Sequence, residues 1–190
     1  SKEKVRQLQN KLYLTAKKCD SRRFHALYDK VYRDDILFEA WKRVKANKGS
    51  SGVDGIEIEE IEEMGIEKYL SEIKSELREG KYKPFPVKRV MIPKPDGSER
   101  PLGIPTVKDR VVQMATKIAI EPVFEADFRD CSYGFRPKRS AKQALEKVRK
   151  ACNNKGYYVV DADIEKFFDN VNQDKLMVLV EQRISDRRIL

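Results

Sequence analysis

Two aspartates that lie two residues apart are the side chains of this chain best suited to chemistry. Asp161 and Asp163 follow residues 157–160, Tyr-Tyr-Val-Val, an apolar run typical of a buried strand. Side chains two apart on a strand point to the same face, so both carboxylates would meet at its end. Buried carboxylates are costly without a cation, and Mg²⁺ accepts few carboxylates together with substrate phosphates. The pattern therefore indicates a divalent-metal site, although a strand running into a solvated acidic turn would contain the same residues.

The composition favours a globular protein with a polyanionic partner. The 190 residues include 40 lysines and arginines against 31 aspartates and glutamates, a formal net charge of +9. Charged residues make up 37% of the chain beside 40% hydrophobic residues, which suits a folded, well-solvated protein. The positive excess indicates nucleic acid or an anionic membrane surface as partner.

Neither the cysteines nor the apolar runs indicate export or membrane insertion. The three cysteines are far apart and form no CxxC pair, so neither a zinc site nor a disulfide framework is expected. No apolar run approaches the roughly 20 residues that span a bilayer, and no signal-peptide core follows the first residues. We therefore expect a reducing, cytoplasmic setting of bacterial type and no membrane partner.

Helical patterns fill most of the chain ahead of the acidic segment. Apolar residues recur at three- and four-residue steps over residues 3–20, and the basic opposite face predicts either a solvated surface or an RNA contact. A helix that starts after Thr106 is expected to break before Pro122, since proline removes a helical hydrogen bond. Further helix boundaries are predicted at Asp34 or Asp35, Gly80, Ser140 and Asn172.

Basic residues accompany two segments that are not helical. Glycines at 49, 52 and 55 predict a flexible, backbone-exposed loop over residues 47–55, beside Lys45 and Lys48, although its spacing is not that of a P-loop. Strands over 87–92 and 99–104 are expected to form a hairpin around the turn at 93–98. The hairpin carries four cations: Lys88, Arg89, Lys94 and Arg100. These cations suit binding of a triphosphate or a nucleic-acid backbone. Alternatively, their charges protect an exposed edge of the hairpin from pairing with other strands.

A third segment combines aromatic and basic residues. The loop over residues 130–140 contains Tyr133 and Phe135 together with Arg136 and Arg139. Aromatic side chains among cations suit stacked bases and a phosphate track. A buried aromatic anchor beneath a surface loop would have a similar composition.

Together these stretches resemble the amino-terminal fingers and upper palm of a group II intron-encoded reverse transcriptase, or intron maturase. The stretches that carry the resemblance lie, in order, at residues 47–55, 89–106 (RVMIPKPDGSERPLGIPT), 109–113, 124–139 (FEADFRDCSYGFRPKR) and 160–169. The resemblance implies an α+β fold, helix-rich, with a β-hairpin in the fingers and the first palm strand. It also implies three parts: an N-terminal helical extension over 1–33, fingers over 34–150, and the start of the palm over 151–190.

The resemblance further implies roles for single residues. Asp163 matches the first metal-binding catalytic aspartate, and the carbonyl of Ile164 helps to hold a second Mg²⁺; Asp161 has no fixed role. Phe168 falls at the aromatic gate that excludes a ribose 2′-hydroxyl. Lys94 and Arg100, with Lys88 as a third cation, match the residues that hold the incoming triphosphate. Nucleic-acid contacts are expected from Lys45, Lys48, Arg89, Tyr133, Phe135, Arg136 and Arg139.

The activity implied is RNA-directed DNA synthesis with two Mg²⁺ ions during retrohoming, together with binding of intron RNA to assist splicing. The expected partners are group II intron RNA, an RNA template with a DNA primer, and dNTPs, with a homodimer left open. A non-catalytic RNA-binding splicing factor is the alternative, as is a diversity-generating, retron or CRISPR-associated reverse transcriptase. The chain lacks the Tyr-Ala-Asp-Asp type turn of the family, so we expect a piece of a larger enzyme that is inactive alone.

Overall fold

The computed structural model describes residues 2–154 and 158–190, which form a helical domain with one β-hairpin. The helices are α1 (Lys2–Lys18), α2 (Tyr28–Val31), α3 (Asp34–Ala46), α4 (Ile58–Met64), α5 (Ile66–Glu79), α6 (Val107–Glu125), α7 (Ala141–Asn153), α8 (Phe167–Asn170) and α9 (Gln173–Glu181). The strands are β1 (Lys88–Pro93) and β2 (Glu99–Ile104). No helix in the described ranges is long and apolar enough to cross a membrane.

Helix α6 is the centre of the hydrophobic core, with α1, α2 and α3 packed against it and α5 against α3. Its residues Val111, Ala115 and Ile118 are fully buried. Trp41 of α3 meets the ring of Tyr69 edge-on, with 6.0 Å between the ring centroids. The apolar face predicted over residues 3–20 is confirmed, because Val5, Leu12 and Ala16 of α1 are buried.

Four predicted helix boundaries are confirmed by their capping contacts, whereas α3 begins at the predicted Asp34 with Arg33 as N-cap and no side-chain cap. Thr106 Oγ1 accepts a hydrogen bond from the Asp109 amide, and Asn172 caps α9 through the Lys175 amide. Ser140 and Gln143 form the reciprocal pair of hydrogen bonds of a capping box at the start of α7. Gly80 ends α5 in the left-handed conformation that glycine adopts without strain, with φ of 69°.

The predicted break before Pro122 is wrong, because α6 continues through the proline to Glu125. Proline has no amide hydrogen, so the carbonyl of Ile118, four residues earlier, has no helical donor. The side-chain amide of Gln9 donates to this carbonyl across 3.1 Å. Packing of α1 against α6 therefore supplies the hydrogen bond that the proline removes.

The hairpin forms over the predicted residues, with Val90 opposite Leu102 and Ile92 opposite Arg100. At its turn the Gly97 amide donates to the Lys94 carbonyl, and the Lys94 amide donates to the Ser98 carbonyl. Gly97 takes a φ of 81°, as the last position of a three-residue hairpin loop requires. Both strands are solvent-exposed along most of their length.

The prediction of a buried strand ahead of Asp163 is wrong for its described part. Residues 158–163 have no strand conformation, Val160 is 94% exposed, and the start of the predicted strand at Tyr157 lies outside the described residues. A β-branched, aromatic sequence fits a sheet, but a strand forms only beside a partner. Among the described residues no strand lies beside this segment.

The last residues of the chain return to the N-terminal helices. Phe24 and Ile184 form a parallel bridge, and Asp186 Oδ2 accepts hydrogen bonds of 2.8 Å from the amides of Leu27 and Tyr28. Burial alone would raise the pKa of the Asp186 carboxyl. The hydrogen bonds that it accepts from backbone amides have a larger combined effect, so the pKa is lowered. A carboxyl with a lowered pKa stabilises the fold at neutral pH, and this stabilisation is lost as the pH falls through that pKa.

Candidate nucleotide and nucleic-acid interface

The hairpin presents its cations to solvent on defined faces. The register pairs Arg100 with Ile92, and Lys88 is four residues before Ile92 on the same strand. Directly opposed side chains share a face, as do residues four apart, so Lys88 and Arg100 lie on one face. Lys94 follows β1 by one residue at the turn, and Arg89 lies on the opposite face. The register therefore places Lys88 and Arg100 on one face, four residue positions apart along the hairpin, and Arg89 on the other face.

The centre of the glycine loop is buried against the start of α6, whereas most of its other residues are exposed as predicted. Ser51 and Gly52 are buried, and Ser51 Oγ donates to Glu57 Oε1 across 2.5 Å. Arg110 Nη2 of α6 donates to the carbonyl of Ser50 across 2.5 Å. The absence of a side chain at Gly52 permits this close docking.

The base of the hairpin lies beside this loop. The pKa of Glu57 is lowered mainly by the hydrogen bond that its carboxylate accepts from the Ser51 hydroxyl, and next by the bond from the Ser51 amide. Burial opposes this shift, whereas the charges of Lys88 and Arg110 add to it. The loop and the hairpin base meet where Gly52 approaches the backbone of Pro105 and Thr106, which follow β2.

Gly52→Ala is expected to displace the glycine loop from α6. A Cβ atom at Gly52 would lie 2.7 Å from both the backbone N and Cα of Thr106, which cannot move without disturbing the helix cap. We expect a loss of about 1–3 kcal/mol in the free energy of unfolding, as for other overpacked sites. Gly134→Ala is the matched control, since its Cβ would meet no atom within 4 Å and its φ is not in the left-handed region. Equal stability of the two variants in urea unfolding would contradict the docking.

The two lysines near the glycine loop differ in their surroundings. Lys45 Nζ forms an ion pair with Glu62 of α4. Lys48 is exposed and adopts a left-handed backbone conformation with φ of 46°, uncommon for a residue with a side chain. A polyanion would have to compete with Glu62 for Lys45, whereas Lys48 is open to solvent.

Arg136 holds the aromatic loop together instead of facing solvent. Its guanidinium is buried, and Nη2 lies 2.8 Å from Glu125 Oε1 of α6. Nη1 donates to the carbonyls of Arg129 and Ser132, each across 2.7 Å. These contacts engage the Arg136 donors in ordering the loop, and its contact with nucleic acid stays a prediction.

The other members of the aromatic loop remain accessible. Phe135 is 100% exposed and has a φ of 54°, a strained conformation for an aromatic residue. The Arg139 guanidinium lies over the Tyr133 ring, 5.3 Å from its centroid. Tyr133 and Arg139 line a groove of about 480 Å³. One face of α7 forms the rest of its lining and includes Lys142, Lys147 and Lys150.

The acidic segment is open to solvent over its described residues. Asp161 and Asp163 are exposed, and so are Ile164 and Phe168, the latter to 87%. Lys166 takes a left-handed conformation and leads into the short helix α8, where Phe167 and Phe168 meet edge-on with 5.7 Å between ring centroids. Within residues 2–154 and 158–190, no three acidic, histidine or cysteine side chains converge in a way that could hold a metal ion.

The family of the chain follows from comparison with known proteins. Residues 92–188, just over half of the chain, match the model of the reverse transcriptase (RNA-dependent DNA polymerase) family. This range includes most of the hairpin, α6, the aromatic loop and the acidic segment described above. The chain belongs to the reverse transcriptase family.

Within this family the chain is related to a group II intron-encoded protein and to two further proteins. It is 37% identical to the protein YkfC of Escherichia coli over 98% of this chain and 50% of YkfC. It is 35% identical to the group II intron-encoded protein LtrA of Lactococcus lactis over 87% of this chain and 27% of LtrA. A shorter stretch, 45% of this chain, is 33% identical to the nuclear intron maturase 1 of Arabidopsis thaliana and covers 12% of that protein. The chain thus spans half or less of the length of these relatives.

Two structurally central residues were not singled out from the sequence. Asp109 lies three residues after Thr106 at the helix cap, and its carboxylate also accepts hydrogen bonds from Tyr82 and from the backbone ahead of the hairpin. Its position three residues after Thr106 was the available signal. Arg183 donates to backbone carbonyls more than 160 residues earlier in the chain, and no local pattern predicts such a contact.

Proposed function

We propose that this chain forms the fingers and the first part of the palm of an RNA-directed DNA polymerase encoded by a group II intron. In the complete protein it would bind an RNA template with a DNA primer, hold an incoming dNTP, and support two-metal nucleotidyl transfer. We further propose the division into an N-terminal extension over 1–33, fingers over 34–150 and palm from 151. Binding of intron RNA to assist splicing is part of the same proposal.

The observation that carries the proposal is the placement of the hairpin cations. Lys88 and Arg100 share a face, Lys94 lies at the turn, and all three are exposed. Two lysines and an arginine can neutralise the charge of a triphosphate, and the guanidinium can bind it in a bidentate manner. Tyr133, Phe135 and Arg139 add stacking surfaces and a cation for template or primer.

The donors at the acidic segment fit magnesium in kind. The carboxylate of Asp163 and the backbone carbonyl of Ile164 are hard oxygen ligands in an exposed segment, and they would fill part of an octahedral site. Water, substrate phosphates and carboxylates of the complete protein would supply the other ligands. Bound Mg²⁺ neutralises phosphate charge and lowers the pKa of a coordinated hydroxyl.

Exposed apolar surface supports a larger palm in the complete protein. Leu145 and Val148 of α7 are more than half exposed, as are Val159 and Val160 ahead of Asp163. Apolar patches of this kind mark surfaces that another element covers. We propose that further palm strands cover them and give residues 158–163 the sheet partner that a strand requires.

A non-catalytic RNA-binding splicing factor is the second candidate, because the relative from Arabidopsis thaliana is named a maturase. Such a protein needs the basic surface but neither Asp163 nor Phe168. Both residues are present and exposed here, which favours the polymerase.

Phe168→Ala is expected to relax sugar selectivity in the complete protein. A large flat side chain beneath the sugar excludes a 2′-hydroxyl by steric contact, and alanine would leave room for it. We expect the ratio of kcat/KM for dNTPs over rNTPs to fall by about a hundredfold, as one steric contact contributes a few kcal/mol. Phe167→Ala is the matched control, since this ring is adjacent but lies at a position without a predicted sugar contact. Unchanged selectivity in Phe168→Ala would remove the gate from the proposal.

A further inference from the structure

We infer that Asp109 is a positioning residue that fixes the basic hairpin at its stem and thereby sets the affinity for the incoming dNTP. The inference rests on the proposed function, because it assumes that the hairpin cations bind a triphosphate. Asp109 itself lies in the first turn of α6 and is only 1% exposed, so it acts through the hairpin.

The Asp109 carboxylate binds both ends of the segment that contains the hairpin. On the entering side, the Tyr82 hydroxyl donates to Oδ1 across 2.6 Å and the Phe85 amide donates to Oδ2 across 3.1 Å. On the leaving side, the Thr106 hydroxyl donates to Oδ2 across 2.7 Å. One buried side chain therefore joins residues 82–85 to residue 106, and the whole hairpin projects from this junction.

The hairpin has few other means of keeping its orientation. Both strands are exposed along most of their length, so they lack the buried packing that would fix them against the helices. A close contact between Gly103 and the side chain of Val87 lies within the hairpin segment itself. The junction at Asp109 therefore controls the direction in which Lys88, Lys94 and Arg100 are presented.

The hydrogen bonds at Asp109 are suited to rigid positioning. Charge-assisted bonds in a buried setting are shorter and stronger than neutral ones, and a buried carboxylate is costly to leave without its donors. Burial and the bond to Asp109 raise the pKa of the Tyr82 hydroxyl, so it remains a donor at neutral pH.

Tyr82→Phe tests the inference in the complete protein, because it removes one donor to Asp109 and keeps the ring. In primer extension on an RNA template we expect the KM for dNTP to rise about tenfold, the size of a lost charge-assisted hydrogen bond. Since the reacting groups are untouched, kcat and the Kd for primer–template are expected to stay within about twofold of the unsubstituted protein.

Tyr28→Phe is the matched control. It removes another partly buried tyrosine hydroxyl, which donates across 2.7 Å to the Leu77 carbonyl in the helical core and makes no contact with the hairpin stem. It is expected to leave the KM for dNTP unchanged. A KM that rises equally in both variants, or in neither, would overturn the inference.

Hydrogen–deuterium exchange of the peptide over residues 86–104 separates the inference from the proposed polymerase activity. Faster exchange of this peptide in Tyr82→Phe, but not in Tyr28→Phe, is expected whether or not the protein synthesises DNA. Equal exchange in both would overturn the anchoring role of Asp109. If Tyr82→Phe does not fold, Asp109→Asn replaces it, because the amide keeps the size of the side chain and one acceptor oxygen. The same faster exchange of residues 86–104 is expected in Asp109→Asn. Exchange equal to that of the unsubstituted protein would overturn the inference. Absence of synthesis by the unsubstituted protein would instead reject the proposed function.

Discussion

Replacing Asp163 by alanine is expected to abolish Mg²⁺-dependent DNA synthesis by the complete protein while leaving RNA binding intact. The carboxylate is exposed within a segment that carries no other proposed metal ligand except the Ile164 carbonyl. Metal stabilisation of transition-state charge is worth several kcal/mol, so its loss lowers the rate by about a thousandfold or more. RNA affinity depends instead on lysines and arginines elsewhere and should change little.

Asp161→Ala is the matched control for this experiment. Asp161 is an equally exposed carboxylate two residues away, and the same change in net charge accompanies its loss. We expect its rate to stay within a few fold of the unsubstituted protein, since Asp161 has no proposed ligand role. Equal activity of Asp163→Ala and Asp161→Ala in single-nucleotide incorporation would reject the metal assignment.

Arg183→Ala is expected to cause the largest loss of stability of any single substitution considered. Its guanidinium is buried, and Nη1 and Nη2 donate to carbonyls at and just beyond the end of α1, including Ala16 and Cys19, each across 3.1 Å. Nε lies 2.8 Å from Asp127 Oδ2, an ion contact that also holds the end of α6 in place. Alanine would leave helix-terminal carbonyls without donors and remove a cation from the negative end of the helix dipole.

We expect Arg183→Ala to lower the free energy of unfolding by about 3 kcal/mol, or roughly 6–12 °C in Tm for a chain of this size. Arg187→Ala is the control, because Arg187 belongs to the same C-terminal segment but is exposed, and its loss should change stability by less than about 0.5 kcal/mol. Urea unfolding of the 190-residue chain measures both. A small effect at Arg183 would show that its contacts with the end of α1 and with Asp127 do not hold the C-terminal segment in place.

The helices and the hairpin could be predicted because local sequence determines them. Apolar spacing predicts α1, and capping residues such as Ser140 predict helix starts to within a residue. The hairpin followed from two strand-like runs around a proline–glycine turn, which fixes the register locally. Each of these features is decided by residues a few positions apart.

The features that could not be predicted depend on distant partners. Helix α6 continues through Pro122, where Gln9 supplies the hydrogen bond that the proline removes, and no described strand lies beside residues 158–163 to pair with them. The burial of the centre of the glycine loop depends on Arg110, which donates to the Ser50 carbonyl, and on the close approach of Gly52 to Thr106. Sequence spacing located the candidate site residues along the chain, whereas the burial of Arg136 became evident only from its contacts with Glu125.

The most direct test of the central claim is incorporation of a single dNTP onto a DNA primer annealed to an RNA template, with the complete protein and with Mg²⁺ present or chelated. The proposed function predicts extension by the templated dNTP, dependent on Mg²⁺ and lost in Asp163→Ala. Tight RNA binding without any extension would contradict it and would identify the protein as a non-catalytic RNA-binding factor.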